Sequence, residues 1–205
     1  MSEKKEIIVF LGLKNCGKGF NSKPYINSGY KKLSFADPLR EMAYDILDYT
    51  PNKKFNYDDF KMSDIVLKKG FFKKKKITTG RKILQNTGSV IKDFFGEDIW
   101  ATMWYNSVLE SGSNIVCDDA RFTYEIEKAL SLSRKGYKVK FVWCCYQGAD
   151  FKEILKDSHE SEALSQFIYK NQIKYGLYDA CLIKHTTIKQ IIKDYKALKN
   201  DKIIC

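Results

Sequence analysis

The stretch that decides the fold covers residues 6–19 and reads Glu6-Ile-Ile-Val-Phe-Leu-Gly12-Leu-Lys-Asn-Cys-Gly17-Lys18-Gly19. Its apolar half predicts a short buried strand, and the residues after it form G-x-x-x-x-G-K, the pattern of a phosphate-binding loop. Glycines let successive backbone N–H groups turn toward an anion at the start of a helix, and the lysine adds a movable charge. Gly19 stands where this pattern has a Ser or Thr that holds Mg²⁺. The alternative is an ordinary strand-to-turn connection in which Lys18 is solvated.

Length and composition indicate a globular chain. With 205 residues, 44% of them apolar, it can bury a core, and we expect one domain over residues 1–205. No apolar run approaches the roughly 18 residues that span a bilayer, and the first run is too short for a signal-peptide core. We therefore expect a cytoplasmic protein with no membrane partner. The six cysteines lack C-x-x-C spacing, which favours small buried thiols over a zinc site.

The charge predicts the kind of partner. A formal net charge of +11 indicates an anionic partner, either nucleotide phosphates or nucleic acid. Part of the excess lies in four consecutive lysines at residues 73–76, which is typical of a solvated loop. Charge alone therefore does not choose between a nucleotide enzyme and a nucleic-acid binder.

Strand and helix patterns alternate along the chain. Short strands are predicted at residues 7–11, 30–35, 113–117, 137–146 and 181–183. Helices are predicted from Asp37-Pro38 onward, after a cap at Thr79, and over residues 100–109, 125–135 and 187–198. Residues 49–80 read as a polar, partly helical excursion. The alternation predicts an α/β fold with a mostly parallel five-stranded sheet and helices on both faces.

Two acidic residues follow the third predicted strand. Asp118 and Asp119 come directly after residues 113–117, and Arg121 is close behind. Adjacent carboxylates repel each other unless a cation lies nearby. Ligands of parallel sheets bind at the carboxyl ends of the strands, where residues 12–18 also lie. The two signals therefore point to one phosphate site, although either aspartate could instead cap the following helix.

Six ordered blocks, spread over about residues 7–185, resemble the deoxynucleoside monophosphate kinases of bacteriophages and other large DNA viruses. The resemblance implies a three-layer P-loop NTPase fold with a nucleotide-binding insertion and a lid. The blocks are residues 12–18, Phe35-Ala36-Asp37-Pro38-Leu39-Arg40, Thr79-Gly80-Arg81 with Leu84-Gln85 and Gly88, Asp98-Ile99-Trp100, Asp118-Asp119-Ala120-Arg121-Phe122, and His159-Glu160-Ser161-Glu162.

The resemblance implies transfer of the γ-phosphate of ATP to a deoxynucleoside monophosphate, with Mg²⁺, in viral nucleotide metabolism in the host cytoplasm. It assigns catalysis to Lys18, Arg121, Asp118 and Asp119, the aspartates organising Mg²⁺ through water. Such chemistry needs positioning and cations and no nucleophilic side chain. The ATP-binding residues would be Gly12, Lys14, Asn15, Cys16, Gly17, Lys18 and Gly19.

For the acceptor, the resemblance implies that Arg40 and Arg81 clamp its phosphate and that Gln85 and Trp100 lie near its base. Residues 40–110 would form the acceptor-binding excursion, and residues 147–165 a lid. Read from the residues alone, Arg40 could be a solvated arginine, and Trp100 shares a helical face with Trp104, which favours the core. His159 reads as a lid or surface histidine with a local hydrogen bond.

The missing hydroxyl at Gly19 keeps a second hypothesis open. The chain could be a catalytically degraded kinase fold that binds DNA or acts in replication, its lysines gripping phosphates. A nucleotide-dependent switch is a third. In the kinase hypothesis nucleic acid is a secondary partner, and the sequence leaves open both the accepted base and a homodimer.

Overall fold

The computed structural model describes residues 4–47, 57–69, 74–145, 152–156 and 160–201. The chain divides into two compact units. The first contains Met1–Phe35 and Trp104–Cys205, and the second contains Ala36–Met103. The second unit overlaps most of the expected excursion at residues 40–110.

The elements alternate in type along most of the chain. In chain order they are β1 (Glu6–Gly12), α1 (Lys18–Asn27), β2 (Lys31–Lys32), α2 (Asp37–Ile46), α3 (Tyr57–Met62), β3 (Asp64–Lys69), β4 (Lys74–Thr79), α4 (Gly80–Phe95), α5 (Ile99–Ser111), β5 (Ile115–Cys117), α6 (Thr123–Ser131), a 3-10 turn (Leu132–Lys135), β6 (Lys138–Cys144), α7 (Lys152–Lys156), α8 (Glu160–Lys170), β7 (Cys181–Ile183) and α9 (His185–Asp201).

A five-stranded sheet in the order β2-β5-β1-β6-β7 forms the core of the first unit. The first four strands of that order are parallel, and β7 pairs antiparallel with β6. The prediction of a mostly parallel five-stranded sheet is therefore confirmed. The apolar residues of β1, from Ile7 to Leu11, are all buried. Such an unbroken apolar run is what a central parallel strand needs, because helices cover its faces; α1 and α8 pack against β1, and α9 packs against β6.

Strand β2 is shorter than the six residues predicted. Its ladder continues only as far as the Leu33 N–H, which donates to the Val116 carbonyl at 3.1 Å. The Phe35 N–H then donates to the Asp119 carboxylate at 2.9 Å. A side chain thus takes the place of a ladder partner and ends the strand.

The second unit combines an antiparallel β3–β4 hairpin with helices α2, α3 and α4. Its core is formed by Ala43, Phe60 and Leu84, with Leu39 and Ile65 packed against them. Residues 74–76 lie in β4, so the predicted loop is wrong there, and Lys73 lies outside the described residues. Hairpin pairing uses backbone groups, which a lysine supplies as well as an apolar residue does.

Helix α4 begins where its cap predicted. The Thr79 hydroxyl accepts a hydrogen bond from the Lys82 N–H at 3.3 Å, and the helix ends at Phe95, followed by Gly96, whose φ is 97°. Helix α1 passes through Pro24, which lacks an N–H, and ends at Asn27 within one turn. Within the described parts of the chain, no helix is both long enough and apolar enough to cross a membrane.

Candidate functional site

The loop between β1 and α1 is closed tightly around its first glycine. A Cβ on Gly12, whose φ is +150°, would lie 2.3 Å from the Cys144 carbonyl oxygen and 2.5 Å from Cys16 Sγ. Asn15 and Gly17 adopt left-handed conformations, with φ of 62° and 87°. Helix α1 then begins at Lys18, and no side chain caps its first N–H groups. Those donors are oriented for an anion, as at the start of any helix.

Lys18 points back into this loop. Its ammonium donates hydrogen bonds to the carbonyl oxygens of Gly12 at 2.8 Å and Leu13 at 2.7 Å, and it lies 3.7 Å from Cys16 Sγ. Only 9% of the residue is exposed, so the alternative of a solvated turn lysine is wrong. Burial lowers the pKa of Lys18; the neighbouring charge of Arg121 lowers it further, and Cys16 and Glu162 oppose the change.

The lowered pKa of Lys18 has a measurable consequence. Between this pKa and the ordinary lysine value of 10.5, the unfolded chain holds more protons than the folded one, so stability rises with pH there. Relative to Lys18→Met, the wild type should therefore gain up to about 1.4 kcal/mol of unfolding free energy per pH unit as pH approaches 10.5. Urea unfolding between pH 7 and pH 10 measures this, with Lys23→Met on the exposed side of α1 as the control. If the unfolding free energies of the wild type and Lys18→Met changed with pH in parallel, the lowered pKa of Lys18 would be wrong.

Two thiols line the inner side of the loop. Cys16 and Cys144 are both buried. Burial raises the pKa of Cys16 and raises that of Cys144 to about 12. Both therefore stay neutral at physiological pH and pack as small apolar groups. The prediction of buried thiols is confirmed for four of the five cysteines in the described residues, Cys181 being half-buried, and Cys205 lies outside these residues.

Asp118 lies against the start of α1. Its Oδ2 accepts a hydrogen bond from Ser22 Oγ at 3.1 Å and pairs with Lys32 Nζ at 2.7 Å. A Cβ on Gly19 would lie 3.7 Å from the same oxygen, an ordinary contact distance. The carboxylate at the end of β5 therefore faces the position where the loop pattern expects a hydroxyl.

Asp119 points elsewhere. Its Oδ1 accepts the Phe35 N–H and the Cys117 thiol, the latter at 3.3 Å. Burial, followed by the charge of Asp119, raises the pKa of Cys117 well above its usual value, which keeps that thiol a donor. The two aspartates thus differ: Asp118 lies beside the loop, and Asp119 holds the backbone after β2. Neither caps the next helix, which begins at Thr123 with Phe122 at its cap position, so the capping alternative is wrong.

Arg121 is held between two glutamates. Its backbone N–H, together with that of Phe122, donates to the Glu125 carboxylate at 2.6 and 2.9 Å. Its guanidinium forms an ion pair with Glu162, which projects from the first turn of α8 and is 4% exposed. The charges of Arg121 and Glu162 act in opposite directions on the pKa of Lys18, so this ion pair lies within electrostatic reach of the Lys18 ammonium.

The predicted acceptor residues all lie in the second unit. Arg40 is half-buried on α2 and pairs with Asp37, so it is not a solvated surface arginine. Arg81 and Gln85 are exposed one turn apart on α4 and so share a face. Trp100 is buried, and its indole N–H donates to the Gly88 carbonyl at 3.4 Å, which agrees with the core position that its helical spacing favours.

Nothing in the sequence pattern pointed to Ser22 or Lys32 as site residues or indicated a role for Glu162. Lys32 pairs with Val116 in the sheet, and Asp118 follows two residues later, just beyond the end of β5. The pairing register of β2 with β5, which brings Lys32 to Asp118, cannot be predicted from the sequence pattern. His159 and residues 147–151, 157 and 158 of the predicted lid at residues 147–165 lie outside the described residues, which include α7 and the start of α8.

Models of known protein families do not match this chain, and a comparison with curated proteins also finds no match.

Proposed function

We propose that the protein is a nucleoside monophosphate kinase that transfers the γ-phosphate of ATP to a deoxynucleoside monophosphate with Mg²⁺. One observation carries the proposal: the Lys18 ammonium lies inside a glycine loop at the carboxyl end of β1, Asp118 from the end of β5 lies against the start of α1, and the charge of Arg121 acts on Lys18. This arrangement suits phosphate groups, because N–H donors, two cations and a carboxylate meet at one sheet edge.

Three residues of the first unit, Lys18, Arg121 and Asp118, have separate roles in the proposed reaction. Lys18 exchanges its two carbonyl partners for phosphate oxygens, and the uncapped N–H groups of α1 donate to the same oxygens. Arg121 offsets the charge that develops on the transferred group. Asp118 fits a role in organising metal-bound water. A Mg²⁺ ion held there through water would supply positive charge that offsets the charge of the phosphate groups.

The acceptor assignment rests on the second unit. Arg81 and Gln85 present a cation and an amide on one exposed face of α4, a suitable pair for a phosphate and a base. Arg40 would add a second guanidinium from α2. In this proposal Asp119 is a positioning residue for the backbone at Phe35.

The direct test is a phosphoryl-transfer assay with ATP, with and without Mg²⁺, on each of the four common deoxynucleoside monophosphates. We expect at least one to be converted to its diphosphate, and only with Mg²⁺. If a folded preparation converts none of them, the proposed function is wrong.

Restoring the missing hydroxyl should strengthen the metal site. Gly19→Ser adds a hydroxyl at a position whose Cβ would lie 3.7 Å from Asp118 Oδ2, an ordinary contact distance. We expect the Mg²⁺ concentration for half-maximal rate to fall roughly threefold or more, because the new hydroxyl adds an oxygen ligand to a cation that otherwise relies on substrate and water. The measurement is a Mg²⁺ titration of the rate. Gly19→Ala is the control, since it adds the same Cβ without the oxygen; an equal shift in both variants would contradict this role.

A second candidate function is favoured by the ion pair at Asp118. Lys32 neutralises the carboxylate that would serve Mg²⁺, and Gly19 supplies no ligand. A metal-poor site combined with a formal net charge of +11 suits a degraded kinase fold that binds DNA.

This second function predicts duplex DNA binding whose affinity falls steeply with salt, on the order of 10³-fold between 50 and 200 mM if about six phosphates are contacted. Fluorescence anisotropy with a labelled duplex measures it. Weak binding that hardly changes with salt would exclude this candidate.

A further inference from the structure

Glu162 is buried in a way that its own helix does not require. It projects from the first turn of α8, where a carboxylate favours the helix dipole. Glu160 supplies such a charge in the same turn while remaining 64% exposed at its side chain. The side chain of Glu162 is 5% exposed, so something other than the helix end must account for its inward position.

The surroundings of Glu162 are cationic. One of its oxygens pairs with the Arg121 guanidinium, and its charge acts on Lys18. The other oxygen, Oε2, is buried and has no hydrogen-bond partner among the described residues. A buried carboxylate oxygen without a partner is unfavourable by about 1–3 kcal/mol. This penalty is offset because Glu162 supplies a counter-ion to Lys18 and Arg121, two positive charges that would otherwise repel each other.

We propose that Glu162 is a built-in counter-anion of the phosphate site, pairing with Arg121 in the nucleotide-free protein and competing with nucleotide phosphates for that arginine. The inference rests on the proposed function, because it concerns the same site, and it adds a residue that regulates how tightly the site holds phosphate. A polyphosphate that reaches Arg121 must displace Glu162 or share the guanidinium with it. The competing carboxylate weakens phosphate binding and so favours release of the product.

The test is the affinity of the protein for inorganic pyrophosphate, measured by calorimetry at constant ionic strength. Glu162→Gln keeps the shape of the side chain and removes its charge. We expect it to bind pyrophosphate on the order of tenfold more tightly than the wild type, since one opposing charge near the anion is gone. Unchanged or weaker binding would overturn the proposal, weaker binding meaning that Glu162 positions Arg121 for phosphate instead.

The matched control is Glu160→Gln. It removes the same charge from the same turn of α8, and its carboxylate is exposed and 3.5 Å from Lys199. We expect pyrophosphate affinity to stay within about twofold of the wild type. An equal gain in both variants would assign the effect to overall charge and overturn the role of Glu162.

Thermal unfolding separates competition from a purely structural role. Without pyrophosphate, Glu162→Gln should have a lower Tm than the wild type, because Arg121 and Lys18 lose their counter-ion. Saturating pyrophosphate should close that gap, since the ligand replaces the lost charge and stabilises the variant more. A gap that stays the same with pyrophosphate would overturn the proposal. If Glu162→Gln does not fold, Glu162→Asp, whose shorter side chain weakens the pair, should bind pyrophosphate two- to threefold more tightly, and unchanged affinity would count against it.

The result does not depend on turnover. If the kinase assay fails and Glu162→Gln still binds pyrophosphate more tightly, the counter-anion stands and the proposed reaction does not. If the kinase assay succeeds and the two affinities are equal, the reaction stands and the counter-anion does not. No binding of pyrophosphate by either protein overturns the counter-anion as well.

Discussion

Lys18→Ala should lower kcat/KM for phosphoryl transfer by at least about 10²-fold, and by as much as 10³-fold, the loss typical of removing one preorganised charged donor from a transition state. Lys18 is suited to this role because it already lies inside the loop, held by the carbonyl oxygens of Gly12 and Leu13. The lysine is desolvated before phosphate arrives, so little further reorganisation is required when it pairs with the phosphate. Steady-state kinetics with the best acceptor measures the effect.

Two further variants make this result specific. Lys23→Ala removes an exposed lysine from the same helix and should change kcat/KM by less than about twofold. Lys18→Arg keeps the charge and should still lose most of the rate, because a planar guanidinium is not interchangeable with a compact ammonium in this small space. Thermal unfolding of each variant checks that it is folded. If Lys18→Ala retained more than a tenth of the wild-type kcat/KM, the role given to the loop would be wrong.

The sheet could be predicted because buried parallel strands have a strong sequence signal. The apolar run of β1 and the three residues of β7 appear in the structure close to where their patterns placed them. The β3–β4 hairpin could not be predicted, because its second strand begins with three lysines, which show no alternation of apolar and polar side chains. The end of β2 could not be predicted either, since it depends on Asp119, which is distant in sequence.

The candidate site was predicted only in part, for a similar reason. Lys18, Asp118 and Arg121 follow strands in the sequence, and parallel strands bring their carboxyl ends to one edge. The difference between Asp118 and Asp119 is set by which neighbour each carboxylate reaches, α1 in one case and the Phe35 backbone in the other. The partners Ser22, Lys32 and Glu162 come from three elements, and only the packed fold brings them to this site.

Gly12→Ala should destabilise the protein by about 3 kcal/mol or more, an effect at the upper end of those caused by overpacking. The added Cβ would lie 2.3 Å from the Cys144 carbonyl oxygen, a backbone atom fixed by the pairing of Gly12 with Cys144 across β1 and β6. It would also lie 2.5 Å from Cys16 Sγ. A flexible side chain could move aside, but the ladder carbonyl cannot move without breaking the sheet at the loop. Urea unfolding at constant m-value measures the loss.

Two effects contribute to the stability lost in Gly12→Ala: overlap of the new Cβ with its neighbours, and the positive φ that alanine disfavours. Gly136→Ala measures the second effect alone. Gly136 also has a positive φ, +89°, but a Cβ there would meet nothing within 4 Å. Gly136→Ala should therefore lower the free energy of unfolding by only about 1 kcal/mol, the cost of holding alanine at a positive φ. The double variant Gly12→Ala with Cys16→Ala should recover little of the Gly12→Ala loss, because the contact with the Cys144 carbonyl remains. Equal losses of unfolding free energy in Gly12→Ala and Gly136→Ala would mean that the loop backbone shifts at Gly12 to make room for the Cβ. A loop that shifts so readily could not hold Lys18 over phosphate.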